Sequence, residues 1–156
     1  MAAIHGAQGS VKALRATLQQ NRDVLVDLLR EIPGLVVEPP EGTFYCFADF
    51  RKFDEDSTRL AARFLERIQV VTVPGIEFGM EGFLRLSYCG PVEDVREGVR
   101  RIKWLLDPEG SETLEARGKV FTRCFSFPGK RKQAAPVRPP FLWDKGRSAT
   151  AVADDL

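Results

Sequence analysis

The sequence has a single histidine, His5, and only three cysteines, Cys46, Cys89 and Cys124. A zinc or iron site needs several such ligands at fixed spacing, and these spacings match neither a metal knuckle nor a disulfide framework. No metal is expected, and the cysteines are expected as free thiols in a reducing cytosol. His5 reads as a solvent-facing residue without a partner. Long hydrophobic runs are missing as well. Nothing approaches the roughly 20 apolar residues that span a bilayer. The opening MAAIHGAQGSVKAL lacks the apolar core of a secretory signal, so the expected compartment is the cytoplasm. Strong charge of either sign is also missing. The net charge is +1, so no global field draws the chain to a membrane or a nucleic acid. From Asp107 onward there are 9 Lys+Arg against 7 Asp+Glu. The basic cluster there, GKRKQAAPVRPP, lacks interleaved stacking aromatics and reads as solvated chain, not a nucleic-acid site.

Against these absences stands an apolar fraction of 44% in 156 residues, enough for one ordinary core. Val11, Leu14, Leu18, Leu25, Leu28, Leu29 and Ile32 recur at three- and four-residue steps. They predict a helix over 10–32, with Ser10 as N-cap and Pro33-Gly34 as its stop. LVVEPPEG reads as a short strand and a turn. TFYCFADF alternates, with Phe44, Cys46 and Ala48 on one side and Tyr45, Phe47 and Asp49 on the other. DEDSTRLAARFLERI predicts a second helix, capped by Asp56 or Ser57, burying Leu60, Ala61, Phe64, Leu65 and Ile68. QVVTVPG and FLRLSY read as strands. A third helix starts at Pro91 and buries Val92, Val95, Val99, Ile102 and Leu106. Its early Glu93 and Asp94 and late Arg100, Arg101 and Lys103 suit the helix dipole. The predicted fold is therefore α+β, a small, mostly antiparallel sheet with three helices on one face over 10–106. Residues 107–156 show no sustained periodicity and are expected to form a poorly ordered tail, with KVFTRCFSF as one candidate strand.

VPGIEFGMEGFLRLSYCG, Val73 to Gly90, concentrates the unusual chemistry. Gly75 after Pro74 fits a tight turn, and Gly79 and Gly82 let backbone pass close to something. Glu77 and Glu81 read as surface charges. Arg85 alternates with Leu84 and Leu86, so it points away from the face those leucines bury. It is either one more surface arginine or a guanidinium fixed in a cleft. In a cleft its planar fork can hold a carboxylate by two parallel hydrogen bonds.

Four linked motifs, PEGTFYCFADF, DSTRLAARFLE, VVTVPGIEFGMEGFLRLSY and VREGVRRI, resemble the C-terminal small domain of the class I/II aminotransferases. These are pyridoxal-phosphate enzymes of fold type I, and the likeness runs from about Ala2 to about Leu106. The bacterial aspartate and aromatic aminotransferases look most similar. The resemblance implies that Arg85 binds the substrate α-carboxylate. It implies that Phe44 lies near the substrate pocket and Phe78 close to the active-site entrance. It also implies amino acid and 2-oxo acid substrates, pyridoxal 5'-phosphate as cofactor and a homodimer for the complete enzyme.

The family's imine-forming lysine in a Ser-x-x-Lys context, its phosphate-binding arginine, its pyridine-nitrogen aspartate and its Asn-Pro loop have no counterparts here. Residues 1–9 are accordingly expected to be a leader from a large domain that is missing, and this chain alone is expected to be inactive. No catalytic or cofactor-binding residue is assigned. Two alternatives remain: a fold type I lyase or synthase fragment, and a stand-alone amino-acid-binding module.

Overall fold

Alternation in the second strand organises the molecule. Cys46 and Ala48 are buried, while Tyr45, Phe47 and Asp49 between them are only half-buried. In the computed structural model, which describes residues 6–123, this strand lies at the centre of a four-stranded sheet. The elements in chain order are α1 (Gly9–Arg30), β1 (Val36–Val37), β2 (Tyr45–Asp49), α2 (Ser57–Ile68), β3 (Val73–Pro74), a 3-10 turn (Gly75–Phe78), β4 (Phe83–Ser87), α3 (Val92–Leu106), β5 (Thr113–Ala116) and β6 (Lys119–Thr122). The sheet order is β1-β2-β4-β3 and every pair is antiparallel.

Register sets the two faces. Cys46 pairs with Leu86 and Ala48 with Leu84, so these four point to one side. There they join Leu25, Leu29, Leu60, Phe64, Val99 and Ile102 from the three helices in one core. The α+β architecture with three helices on one face is the one the periodicity predicts. Cys46 belongs to this core, and burial pushes its thiol up to about 12, so it stays protonated.

Several details differ from the sequence expectation. Helix α1 is capped at Gln8 without a side-chain hydrogen bond, so Ser10 is not its N-cap. The first half of its apolar stripe is solvent-facing, with Val11 and Leu14 58% and 60% exposed. Leu65 is also exposed, because α2 buries the narrower stripe of Leu60, Ala61, Phe64 and Ile68. Asp56 caps α2 as expected, accepting the Arg59 amide at 2.8 Å. Phe44 does not share the face of Cys46 and Ala48. Its predecessor Thr43 has φ 69°, which turns the chain just before the strand and leaves Phe44 half exposed.

Residues 107–123, expected within the poorly ordered tail, carry the β5–β6 hairpin instead. Arg117 and Gly118, both at positive φ, form its two-residue tip. KVFT of the candidate strand is β6 and Arg123 follows it outside the strand; the remainder, like His5, Cys124 and all of 124–156, lies outside the described residues. The hairpin docks through Ala116 and Phe121, both buried. The Arg101 guanidinium lies 4.8 Å from the Phe121 ring centroid. Arg123 donates to the Trp104 and Asp107 carbonyls, satisfying groups at the end of α3. Each strand contributes so few inward residues that no alternation rises above its polar surroundings. Phe121→Ala should lower stability by about 3 kcal/mol, read as a lower urea midpoint at unchanged slope. An unchanged midpoint would show that the hairpin does not pack as described.

Candidate functional site

The face of the sheet opposite the helices carries Tyr45, Phe47 and Asp49 from β2 and Arg85 from β4. Arg85 pairs with Phe47 on one side and Val73 on the other, so it occupies the middle of the sheet. Its guanidinium carbon lies 4.9 Å from the Tyr45 ring centroid and 4.8 Å from that of Phe78. Phe47 meets Phe78 edge-on at 5.3 Å and Tyr45 edge-on at 6.2 Å. A cation held against ring faces gains electrostatic attraction and loses rotamer freedom, while its N–H fork stays available in the plane.

Among the described residues the Arg85 side chain makes no hydrogen bond and no ion pair. The acidic residue on the same face is already engaged. Asp49 accepts Arg51 through both carboxylate oxygens, with Arg51 Nε at 2.8 Å from Oδ1. A half-buried, aromatic-backed guanidinium that meets no carboxylate among the described residues has its N–H donors available to an external one.

Phe78 reaches Arg85 because of the turn before β4. A Cβ on Gly75 would come within 2.1 Å of the Met80 carbonyl oxygen and 2.6 Å of that of Phe83, so only glycine fits. Gly79, at φ +72°, closes the turn and donates to the Ile76 carbonyl at 3.0 Å. Glu81 ties this turn to α2. It accepts the Ser57 amide at 2.6 Å and the Gly82 amide at 3.2 Å, and the Ser57 hydroxyl accepts the Ile76 amide at 3.3 Å. Glu81 is thus a cap on α2, not the free surface charge its position suggests.

The Ser57 amide holds the Glu81 carboxyl below its ordinary range. Burial pushes Asp54 up, but hydrogen bonds from Arg59 and the Asp56 amide, with the charges of Arg59 and Arg63, bring it lower overall. Both carboxyls bind protons more readily in the unfolded chain. Their stabilisation is therefore complete above the ordinary carboxylate range and is lost as pH falls through the lowered folded values. The urea midpoint should drop as pH is lowered from 6 towards 3, and Glu81→Gln should flatten part of that drop. An identical pH profile for that variant would exclude the contribution.

The structure brings Arg85 and Phe78 into contact and places Phe44 at the margin, where its ring meets Tyr45 edge-on at 5.5 Å. Sequence reasoning assigns Phe47 and Asn21 no role, and leaves Tyr45 and Tyr88 open between packing and facing the pocket, with no catalytic role. Tyr45 and Phe47 were legible as neighbours of Arg85 once the alternation of β2 was known. Asn21 and Tyr88 were not. Asn21, 3% exposed, donates to the Tyr88 carbonyl at 3.0 Å and the Gly90 carbonyl at 2.8 Å. An asparagine one turn before Leu25 in a buried stripe was the available signal. Tyr88, 1% exposed, donates its hydroxyl to the Thr43 carbonyl at 3.1 Å. Burial raises its phenol pKa, which keeps it a donor.

A separate cavity of about 320 Å³ lies between α1, α3 and the hairpin tip, lined in part by Leu25, Val70 and Leu86. Its charged groups pair with one another, Arg101 with Glu97 and Arg117 with Asp94. Among the described residues no cluster of three or more His, Cys, Asp or Glu could hold a metal, and no helix is long and apolar enough to cross a membrane.

A family model for aminotransferase class I and II matches residues 1–102. The chain is 43% identical over 100 residues to a probable aspartate/prephenate aminotransferase of Aquifex aeolicus, covering 62% of this chain and 25% of that protein. It is 38% identical over 115 residues to an aspartate aminotransferase of Streptomyces avermitilis, covering 68% of this chain and 28% of that one. Among solved structures, the Thermus thermophilus aspartate aminotransferase with maleate aligns at TM-score 0.58 and 33% identity, over 62% of this chain and 25% of that one. An aromatic aminotransferase from Pyrococcus horikoshii aligns at TM-score 0.59 and 30% identity, over 62% of this chain and 26% of that one. The chain thus spans about a quarter of the length of the relatives it matches.

Proposed function

This chain belongs to the class I and II aminotransferases, and from that we propose that it is the carboxylate-binding part of an enzyme moving an amino group between an amino acid and a 2-oxo acid. Arg85 binds the substrate α-carboxylate, Phe78 forms one wall beside it, and Phe44 stands at the pocket margin. The observation that carries this reading is the Arg85 guanidinium, set on aromatic rings with no acid partner among the described residues, while Asp49 on the same face is held by Arg51. Two parallel N–H···O bonds would fix a substrate's α-carbon relative to the sheet and so orient its remaining substituents. Maleate, the ligand in the Thermus thermophilus relative, is a dicarboxylate, which agrees with carboxylate chemistry at such a site.

Pyridoxal phosphate is the cofactor we assign to the complete enzyme, but the described residues do not fit it. Lys52 donates to the Pro33 carbonyl, Lys103 pairs with Glu31 and Lys119 donates to Gln69, while Lys12 lies exposed in the first turns of α1. None is a buried amine available for an imine. We therefore assign this chain substrate binding only, with the cofactor held elsewhere in a homodimeric, cytoplasmic enzyme. The aminotransferase names of the relatives do not favour the lyase, synthase or stand-alone module alternatives. The test is a graft of residues 6–106 in place of the matched quarter of the Streptomyces avermitilis enzyme. Transamination by the graft supports the reading. A folded, cofactor-loaded graft without activity overturns it.

A further inference from the structure

Thr43 is β-branched and sits at φ 69°, a conformation such residues rarely adopt. Such strain persists only where its surroundings impose it. Three hydrogen bonds from Tyr88, just after β4, converge on this turn, beside one from the Ser87 hydroxyl to the Phe44 carbonyl at 3.4 Å. The Tyr88 hydroxyl donates to the Thr43 carbonyl at 3.1 Å and lies 3.4 Å from the Gly42 carbonyl. The Tyr88 amide donates to the Phe44 carbonyl at 2.9 Å. Tyr88 is itself fixed, because Asn21 of α1 grips its carbonyl. One buried residue, three positions after Arg85, therefore holds both sides of the turn that presents Phe44.

We propose that the Tyr88 hydroxyl is a positioning group, holding Thr43 in its strained conformation so that Phe44 stands at a fixed place beside the Arg85 face. The functional half of this rests on the reading of Arg85 as the carboxylate clamp. Tyr88 touches no substrate. It fixes the distance between the clamp and the ring at the margin, and so limits how bulky a substrate side chain the site accepts.

The test is Tyr88→Phe, which removes one oxygen and keeps the ring in the core. In the 156-residue chain, exchange of the residue-88 amide, the donor to Phe44, should quicken about tenfold, the scale of one lost hydrogen bond. Adding Thr43→Asn, a residue that tolerates positive φ, should return exchange to within about twofold of the parent. A merely structural tyrosine would show no such rescue. In the graft, Tyr88→Phe should raise KM about threefold or more while kcat stays within about twofold. Unchanged exchange overturns the proposal, and so does a change that Thr43→Asn does not reverse. An unaltered KM in a graft where Arg85→Ala does raise it also overturns the proposal. If Arg85→Ala leaves the graft unaffected, the clamp reading falls, and the exchange result still decides whether Tyr88 holds the turn.

Discussion

Replacing Arg85 by alanine in the graft should lower kcat/KM by about 10²- to 10³-fold, while cofactor loading stays near that of the parent. The size follows from the chemistry. Two charge-assisted hydrogen bonds to a carboxylate are lost, and truncating one partner of such a pair costs roughly 2–5 kcal/mol. The loss would also leave a substrate carboxylate facing the Tyr45 and Phe78 rings with nothing to neutralise it. Arg85→Lys should recover only a minor part, because an ammonium cannot reproduce two parallel N–H bonds and stacks less well on Tyr45 and Phe78. Steady-state kinetics with an amino acid and a 2-oxo acid decide the matter. A kcat/KM within a few-fold of the parent would remove Arg85 from the site.

Gly75→Ala should be the most damaging change outside the hydrophobic core. Its new methyl would lie 2.1 Å from one backbone oxygen and 2.6 Å from another. Neither can move without shifting the Gly75–Phe78 turn or the start of β4. Overpacking of this kind costs about 3 kcal/mol or more where backbone must give way. Gly79→Ala is the natural control. The space beside Gly79 is open, so only its positive φ resists a side chain, at about 1–2 kcal/mol. Urea denaturation of the two variants should separate them clearly. Equal midpoints would mean that the turn is not packed as described. Because Phe78 rides on this turn, Gly75→Ala should also displace the ring from Arg85.

The sheet and its helices were legible because their signals are redundant. Leu60, Phe64 and Ile68 repeat at helical spacing, and Leu84 and Leu86 flank Arg85 at strand spacing. Each pattern is confirmed by a cap or a turn nearby. What escaped the sequence depends on distant pairs. The charge on Glu81 looks free until α2 is brought beside it, 24 residues away. Tyr88 and Thr43 are 45 residues apart, and nothing local marks a threonine as left-handed. The exposure of Val11 and Leu14 failed for another reason. Periodicity reports which residues share a face, not whether another surface covers that face. The docking of the β5–β6 hairpin was hidden because one phenylalanine and one alanine carry it.

The Asp49–Arg51 pair carries a consequence for how the clamp reading would work as an equilibrium. Asp49 and Arg85 share one sheet face, two residues out of register, a separation of about 7–8 Å that long side chains can span. A carboxylate tethered that close would act as a competing ligand at an effective concentration in the millimolar range. Every incoming substrate would first have to displace it, and apparent affinity would fall with the fraction of molecules left open. With both Asp49 oxygens turned to Arg51, that internal competitor is withdrawn. On the clamp reading, no carboxylate among the described residues would then compete with the substrate for the guanidinium.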